Sequence, residues 1–300
     1  MAYDMREIHR YEDVVLLGDG DVREIAGPLV SFADGSTADL LQMAIRNRGG
    51  NDLQMVHSPM VASGAESRTQ RLASSPSNIL LRGDFLEVEV RAAALGDDRV
   101  EILGDPAHVA AIRMEESGGT LMISTPSLRQ DVTVIHVGTI VVNGRRLAPD
   151  PVPARIVVWV SNAPSVSIKG SGHGSVLMLV PAGDISVETQ GSIRVFAVTA
   201  THLAVRISGS GTVRVREVTG SCSATISGSG DVSIGHGHLD RLDAEVSGSG
   251  SIAVAATVRL ASLVLTGSGS IWVARVTEES VERQVGSGGV SVAARGPGSF

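Results

Sequence analysis

Carboxylates are the residues in this chain with the most obvious capacity for chemistry. Glu188, Glu217, Asp231, Asp240, Asp243, Glu245, Glu278, Glu279 and Glu282 all fall within one stretch. Two acids on one face, one protonated and one ionised, would cleave a glycosidic bond. Laid out on the repeat described below, these nine occupy different columns, so no two form an acid–base pair. They read as solvated surface charge. His236-Gly237-His238 would set two imidazoles on one side of an extended segment, the beginning of a metal site. Only Asp240 lies near as a further ligand, and the pair reads as an exposed corner. His173, in GSGHGSV, reads as a surface residue.

The stretch GSGDVSI has the Gly-rich turn and Asp of a calcium-roll nonapeptide. Only Asp231 holds the Asp position; Thr212, Ser251, Ser270 and Gly289 stand there in other copies. A hard cation needs several charged oxygens, so calcium is rejected. The glycine turns are not phosphate cradles, since no helix N-terminus and no P-loop lysine follow them. Cys222 sits in an apolar column and reads as a small core residue. Trp272 stands in an outward column between Ala253 and Ser291, either anchoring a partner or packing under the N-terminal segment. No catalytic, cofactor-binding or metal-ligating residue is assigned, and no cofactor is implied.

The elements that carry these residues come from a repeated turn. RISGSGTVRV, TISGSGDVSI, EVSGSGSIAV and VLTGSGSIWV recur along the chain. Taking one glycine per turn as a marker gives Gly172, Gly191, Gly211, Gly230, Gly250, Gly269 and Gly288, spaced by 19 or 20 residues. That period belongs to solenoids. After each turn, apolar columns read Ile193, Val213, Val232, Ile252, Ile271, Val290 and Val195, Val215, Ile234, Val254, Val273, Val292. The residues between them, Arg194, Arg214, Ser233, Ala253, Trp272 and Ser291, form a mixed outward set. Before each turn, Leu203, Cys222, Leu242, Ala261 and their alternating neighbours form a second strand, and Val198, Val218, Leu239, Val258 and Val276 mark a ragged third side. Alternation of this kind is the signature of half-buried strands.

The expected fold is therefore all-β: a single-stranded parallel β-helix, or solenoid, of about seven coils of 19–20 residues, with an irregular N-terminal extension. Coils stack about 4.8 Å apart, so seven extend on the order of 35 Å. Glycine at the turn admits positive φ and carries no Cβ to collide with the next coil. Ser171, Ser210, Ser229, Ser249, Ser268 and Ser287 would form a hydroxyl ladder, broken at Gln190. In the last coil Glu282 and Gln284 replace apolar column residues and read as an end cap.

Residues 78–160 are β-rich without the turn repeat and are expected to open the solenoid, with a short helix or turn around Pro106 to Ile112 and a hairpin through Gly118-Gly119. The repeated coils run over 161–292, and 293–300 is a tail. In residues 1–77, STADLLQMAIRNRGG predicts one short amphipathic helix, with Ser36 and Asp39 forming a capping box, and residues 62–77 predict a linker.

Composition narrows the function classes. Aromatics make up 3% of the chain against 43% apolar residues, so the core is aliphatic and no aromatic-lined pocket is expected. A net charge of -7 argues against a nucleic-acid partner. Cys222 is the only cysteine, which excludes an intrachain disulfide. No apolar run is long enough for a signal peptide or a membrane span, so the sequence as written reads as cytoplasmic.

The order of motifs from Asn78 to Val292 resembles the GIN-domain family, the head domain of auto-transporter adhesins. An opening FLEVEV strand, then VEILGDPAHVAAIRMEESGGTLMIS, then repeated SGSGDV-type turns carry the resemblance. It implies a β-helical fold and a cell-surface or periplasmic setting. The functional expectation is a non-catalytic binding or adhesion-type module contacting a protein or polysaccharide. Alternatives are a cytoplasmic scaffold that self-associates and, less favoured, a carbohydrate-active enzyme.

Overall fold

The computed structural model describes short stretches of residues 6–57, then residues 66–125 and 154–296 apart from 84 and 105, with Val141–Val142 and Arg145–Arg146 between them. The chain forms two compact units, Met1–Ser63 and Gly64–Phe300.

In the first unit, short strands form two antiparallel sheets, one of three strands and one of four. Leu16, Val30, Phe32 and Ala38 are buried. The helix expected from Ser36 is absent where the chain is described. Thr37–Asp39 and Ala44–Arg46 are antiparallel strands instead. Thr37–Asp39 also pairs with Leu29–Phe32, so sheet pairing overrides the local helical pattern. The linker expectation is corrected in part. Glu66–Arg71 is a strand paired antiparallel with Arg99–Gly104, which places it in the second unit.

The second unit is a β-solenoid of about seven turns. Long strands run His173–Thr189, Ser192–Ile207, Thr212–Ile226, Asp231–Val246, Ser251–Thr266 and Ser270–Val285, and a shorter one, Gly289–Arg295, closes the series. Each pairs in parallel with the next. The inward rows are largely aliphatic up to the last coil. Leu203, Cys222, Leu242 and Ala261 stack in register, as do Ile207, Ile226, Val246 and Leu265. These side chains are nearly inaccessible to solvent, and each buried Val, Ile or Leu contributes roughly 1.5–3 kcal/mol relative to exposure.

The register differs from the sequence expectation at one step. Val195, not Ile193, lies beside Val213; Ala197, not Val195, lies beside Val215; and Ala200, not Val198, lies beside Val218. The marker Gly191 consequently belongs beneath Gly209, and Gly172 beneath Gly191, while the second glycine row starts at Gly211. The cause is an 18-residue step between these two coils after the turn, where Gln190-Gly191-Ser192 replaces the usual Ser-Gly-Ser-Gly. Ser210 N–H donates to Gly191 O and Ser208 N–H to Thr189 O, so Gln190 lies outside the row of Ser210.

From Gly211 onward the glycines form a straight row. A Cβ on Gly230 would lie 2.4 Å from Gly211 O, and one on Gly250, Gly269 or Gly288 would lie 2.2 Å from the carbonyl oxygen of the preceding glycine in the row. The turns also continue the ladder: Ser229 N–H donates to Gly209 O at 3.0 Å and Ser251 N–H to Gly230 O at 3.1 Å. Close approach, not left-handed backbone, is the main demand for glycine. Within the two turn rows only Gly267 and Gly286 have positive φ.

The opening is not laid down in chain order. Asn78–Arg82 pairs in parallel with Thr120–Ser124 on one side and Ser165–Gly170 on the other. Phe85–Ala92 likewise lies between Arg155–Val160 and His173–Thr189. The earlier segment is therefore sandwiched between two later layers. The expected helix runs Pro106–Ala111, and Val109 and Ile112 enter the main core. The hairpin forms through Gly118-Gly119, and VTVIHVGTIVV lies largely outside the described residues.

At the other end, Ser280, Glu282 and Gln284 replace the inward Ala261, Leu263 and Leu265. Gln284 accepts from Val290 N–H at 3.2 Å and donates to Gly288 O at 2.7 Å. Arg295 donates to Glu282 at 2.5 Å and also to Ser280. This polar network closes the core.

Gly250→Ala should lower stability by about 3 kcal/mol, because backbone on both sides must shift to admit the methyl group. Gly289→Ala, where nothing lies within 4 Å of the new Cβ, should be neutral or stabilising. Thermal unfolding of the two variants beside the parent checks this.

Candidate binding face and buried carboxylate pair

The acids singled out from the sequence are dispersed. Glu188 pairs with Lys169 at 2.9 Å, Asp243 with Arg241 at 2.6 Å, Asp240 with Arg259 at 3.7 Å and Glu278 with the same Arg259 at 3.0 Å. Asp231 accepts a hydrogen bond from Ser251, and Glu282 belongs to the end cap. His236 lies beside Glu217 and His238 beside Thr257, both exposed. Among the described residues, no three His, Cys, Asp or Glu side chains are grouped so as to hold a metal. Burial of Cys222 pushes its thiol up to about 12, with the charge of Asp243 adding to the effect. It is a core residue, not a nucleophile.

The alternation in FLEVEV builds a cluster that the list of candidate acids omitted. Val88 and Val90 point into the core, which turns Glu87 and Glu89 outward on the same face. Glu89 is nonetheless only 3% exposed. Arg91 grips one carboxylate oxygen with Nε at 2.8 Å and Nη2 at 2.5 Å, and Arg155, from the adjacent strand, binds the other. Trp159 lies between two guanidinium groups, those of Arg91 at 5.6 Å and Arg99 at 4.5 Å from the ring centre. Arg99 in turn holds Asp97 and Glu101. Val157, Leu177 and Phe196 stand in the same outward column as Glu89 and are buried without joining the main core.

Among the described residues Glu87 forms no ion pair, although the charge of Arg155 reaches it. Ser175 donates to its Oε2 at 2.5 Å. Burial pushes its carboxyl up to about 7 against the pull of that hydrogen bond, and the neighbouring Glu89 charge adds to the rise. The two acids thus sit in different surroundings: Glu89 is bonded to two arginines, whereas burial raises the carboxyl of Glu87 to about 7. A third buried acid, Asp98, is held below the usual range. Burial opposes its ionisation, but hydrogen bonds outweigh burial, among them those from Ser161 N at 2.7 Å and Ser161 Oγ at 2.9 Å. It ties the 93–98 loop to the end of Arg155–Val160.

Further along, from Thr212 onward, the outward face after the turn is open to solvent. One column runs Phe196, Arg214, Ser233, Ala253, Trp272, Ser291, and the next Arg194, Thr212, Asp231, Ser251, Ser270, Gly289. Trp272 is 39% exposed. The expected column differs by one member, Phe196 taking the place of Arg194.

Residues 83–275 match the family described as "Putative auto-transporter adhesin, head GIN domain". The chain belongs to this GIN-domain family. No curated protein matches it significantly. Three solved structures share the fold of this GIN domain. A "putative lipid binding protein" from Parabacteroides distasonis is 18% identical, with a TM-score of 0.51, over 79% of this chain and 98% of its own. A "putative adhesin" from the same organism is 16% identical, with a TM-score of 0.52, over 77% and 96%. A "putative adhesin" from Parabacteroides merdae is 12% identical, with a TM-score of 0.51, over 78% and 97%. At these identities the likeness is one of fold.

The raised Glu87 gives the GIN domain a pH signature. Its folded carboxyl titrates above its ordinary value of 4.5, so the burial cost is absent below that pH, grows as pH rises and is complete above about 7. Glu87→Gln, which can still accept from Ser175, should remove this slope and stabilise the protein by about 2 kcal/mol at pH 8, with little effect at pH 4.5. Denaturant unfolding of parent and variant across that range tests it.

Proposed function

We propose that this GIN domain is a non-catalytic binding module of adhesion type, whose outward coil face contacts a polymer or a protein. The observation that carries this reading is the pair of open outward columns from Thr212 to Ser291, which present side chains at the regular spacing of the coils. Stacked strands hold those side chains in fixed positions, so little ordering cost falls on binding. Exposed Trp272 is the residue type that most often dominates such contacts. Membership in a family described as adhesin heads supports the same reading.

The alternatives have less to stand on. Self-association by stacking coil on coil would need an open apolar end, and the described C-terminal end is closed by Ser280, Glu282, Gln284 and Arg295. A carbohydrate-active enzyme would need two accessible acids, whereas Glu89 is locked between Arg91 and Arg155.

Binding of the intact protein to a glycan array and to immobilised surface proteins, with and without Trp272→Ala, tests the proposal. The expected result is a ligand whose affinity falls about tenfold or more in the variant. Absence of any ligand, or a ligand indifferent to every outward substitution between Thr212 and Ser291, contradicts it.

A further inference from the structure

The outward column that begins at Arg214 has an uneven profile. Arg214 and Trp272 are bulky and exposed, and between them lie only Ser233 and Ala253. Three coil steps separate the two large residues, about 14 Å. The result is a shallow trough floored by small side chains and bounded by a guanidinium at one end and an indole at the other. Along one side run Thr212, Asp231, Ser251 and Ser270, each carrying a hydroxyl or a carboxylate. Asp231 is oriented there by a hydrogen bond from Ser251.

At the arginine end two guanidinium groups stand near one carboxylate, that of Asp231, which lies beside Thr212 and diagonal to Arg214. Arg194 adjoins Thr212 in the neighbouring column, diagonal to Arg214. Both arginines are exposed, and neither makes an ion pair among the described residues. Elsewhere on the coils Arg241, Arg259 and Arg295 each hold a carboxylate, while Arg206, Arg275 and Arg283, like Arg194 and Arg214, make no ion pair among the described residues. On a chain of net charge -7, two adjacent unpaired guanidinium groups form a local site for an anion.

We propose that this trough binds an anionic glycan. A sugar ring stacks its C–H face on Trp272, neighbouring hydroxyls bond to Asp231, Ser251 and Ser270, and a carboxylate or sulfate of the same chain is held by Arg214 and Arg194. Charge complementarity selects this occupant over a neutral glycan, and the line of oxygen acceptors beside the indole selects it over an apolar peptide. The inference rests on the binding-module reading and narrows its partner.

Calorimetry with the intact protein tests it, using short oligogalacturonates as the carboxylate probe, sulfated dextran oligosaccharides as the sulfate probe and malto-oligosaccharides as the neutral one. At least one acidic probe should bind, more weakly as salt is raised. Arg214→Ala and Trp272→Ala should each reduce its affinity about tenfold or more, and Arg259→Ala should not. Both substituted side chains are exposed, so unchanged melting curves would show that folding is intact. Equal binding of neutral and acidic probes, unaffected by Arg214→Ala, overturns the anionic class while leaving the binding module standing. A ligand found only among surface proteins, and lost in Trp272→Ala, likewise overturns the glycan and not the module. No ligand of any kind overturns both.

Discussion

The fold depends on one contact between backbones. At each turn the chain passes so close to the turn below that a single methyl group would lie 2.2–2.4 Å from a carbonyl oxygen, at Gly230, Gly250, Gly269 and Gly288 alike. That proximity lets the hydrogen-bond ladder run through the turn instead of stopping at it. Because the ladder is continuous, aliphatic rows on the inside and polar rows on the outside stay in register over many coils. A larger residue at the corner would push two coils apart and disturb both sets of rows.

A solenoid held together in this way leaves its outer surface free to vary. In the stacked rows ahead of the last coil the inward positions carry mainly Val, Ile, Leu and Ala, with one Cys, whereas the outward positions one residue away carry Arg, Ser, Ala, Trp, Thr and Asp. Two regions of that surface differ in kind. Near the opening, Glu87, Glu89, Arg91, Arg155 and Trp159 are packed into a charged and partly buried cluster. A lone buried ion pair gives little net stability, but removing one partner from Glu89 would leave a buried charge less well compensated. Beyond Thr212 the surface is open, and it is there that Arg214 and Trp272 stand in one column.

The repeat was legible because its signals are local and redundant. Six turns and two alternating strands per coil say the same thing, and the inward rows before the turn proved correct residue for residue. The error at Val195 arose where redundancy failed. A single-glycine turn at Gly191 left two possible alignments, and the spacing of glycines chose the wrong one. The sandwiching of Phe85–Ala92 between later layers could not be read, since nothing local in a strand says which distant strand it joins. The helix pattern at Ser36 lost to sheet pairing for the same reason. Glu87 and Glu89 were visible in FLEVEV, and the signal for them was two acids on the outward phase of a strand whose inward phase is Val88 and Val90. Their burial was not visible, because it is a property of surroundings and not of the strand itself.

The direct test of stacked coils is a distance. Ser210 and Ser287 lie four coil steps apart in one row, about 19 Å at the spacing of paired strands. Cys222 is buried with its thiol pushed up to about 12, so labels placed through Ser210→Cys and Ser287→Cys would report on those sites alone. Electron–electron double resonance should give one narrow distribution near that distance, lengthened only by the label arms. A broad distribution, or a mean above about 30 Å, would contradict turns that lie one upon another.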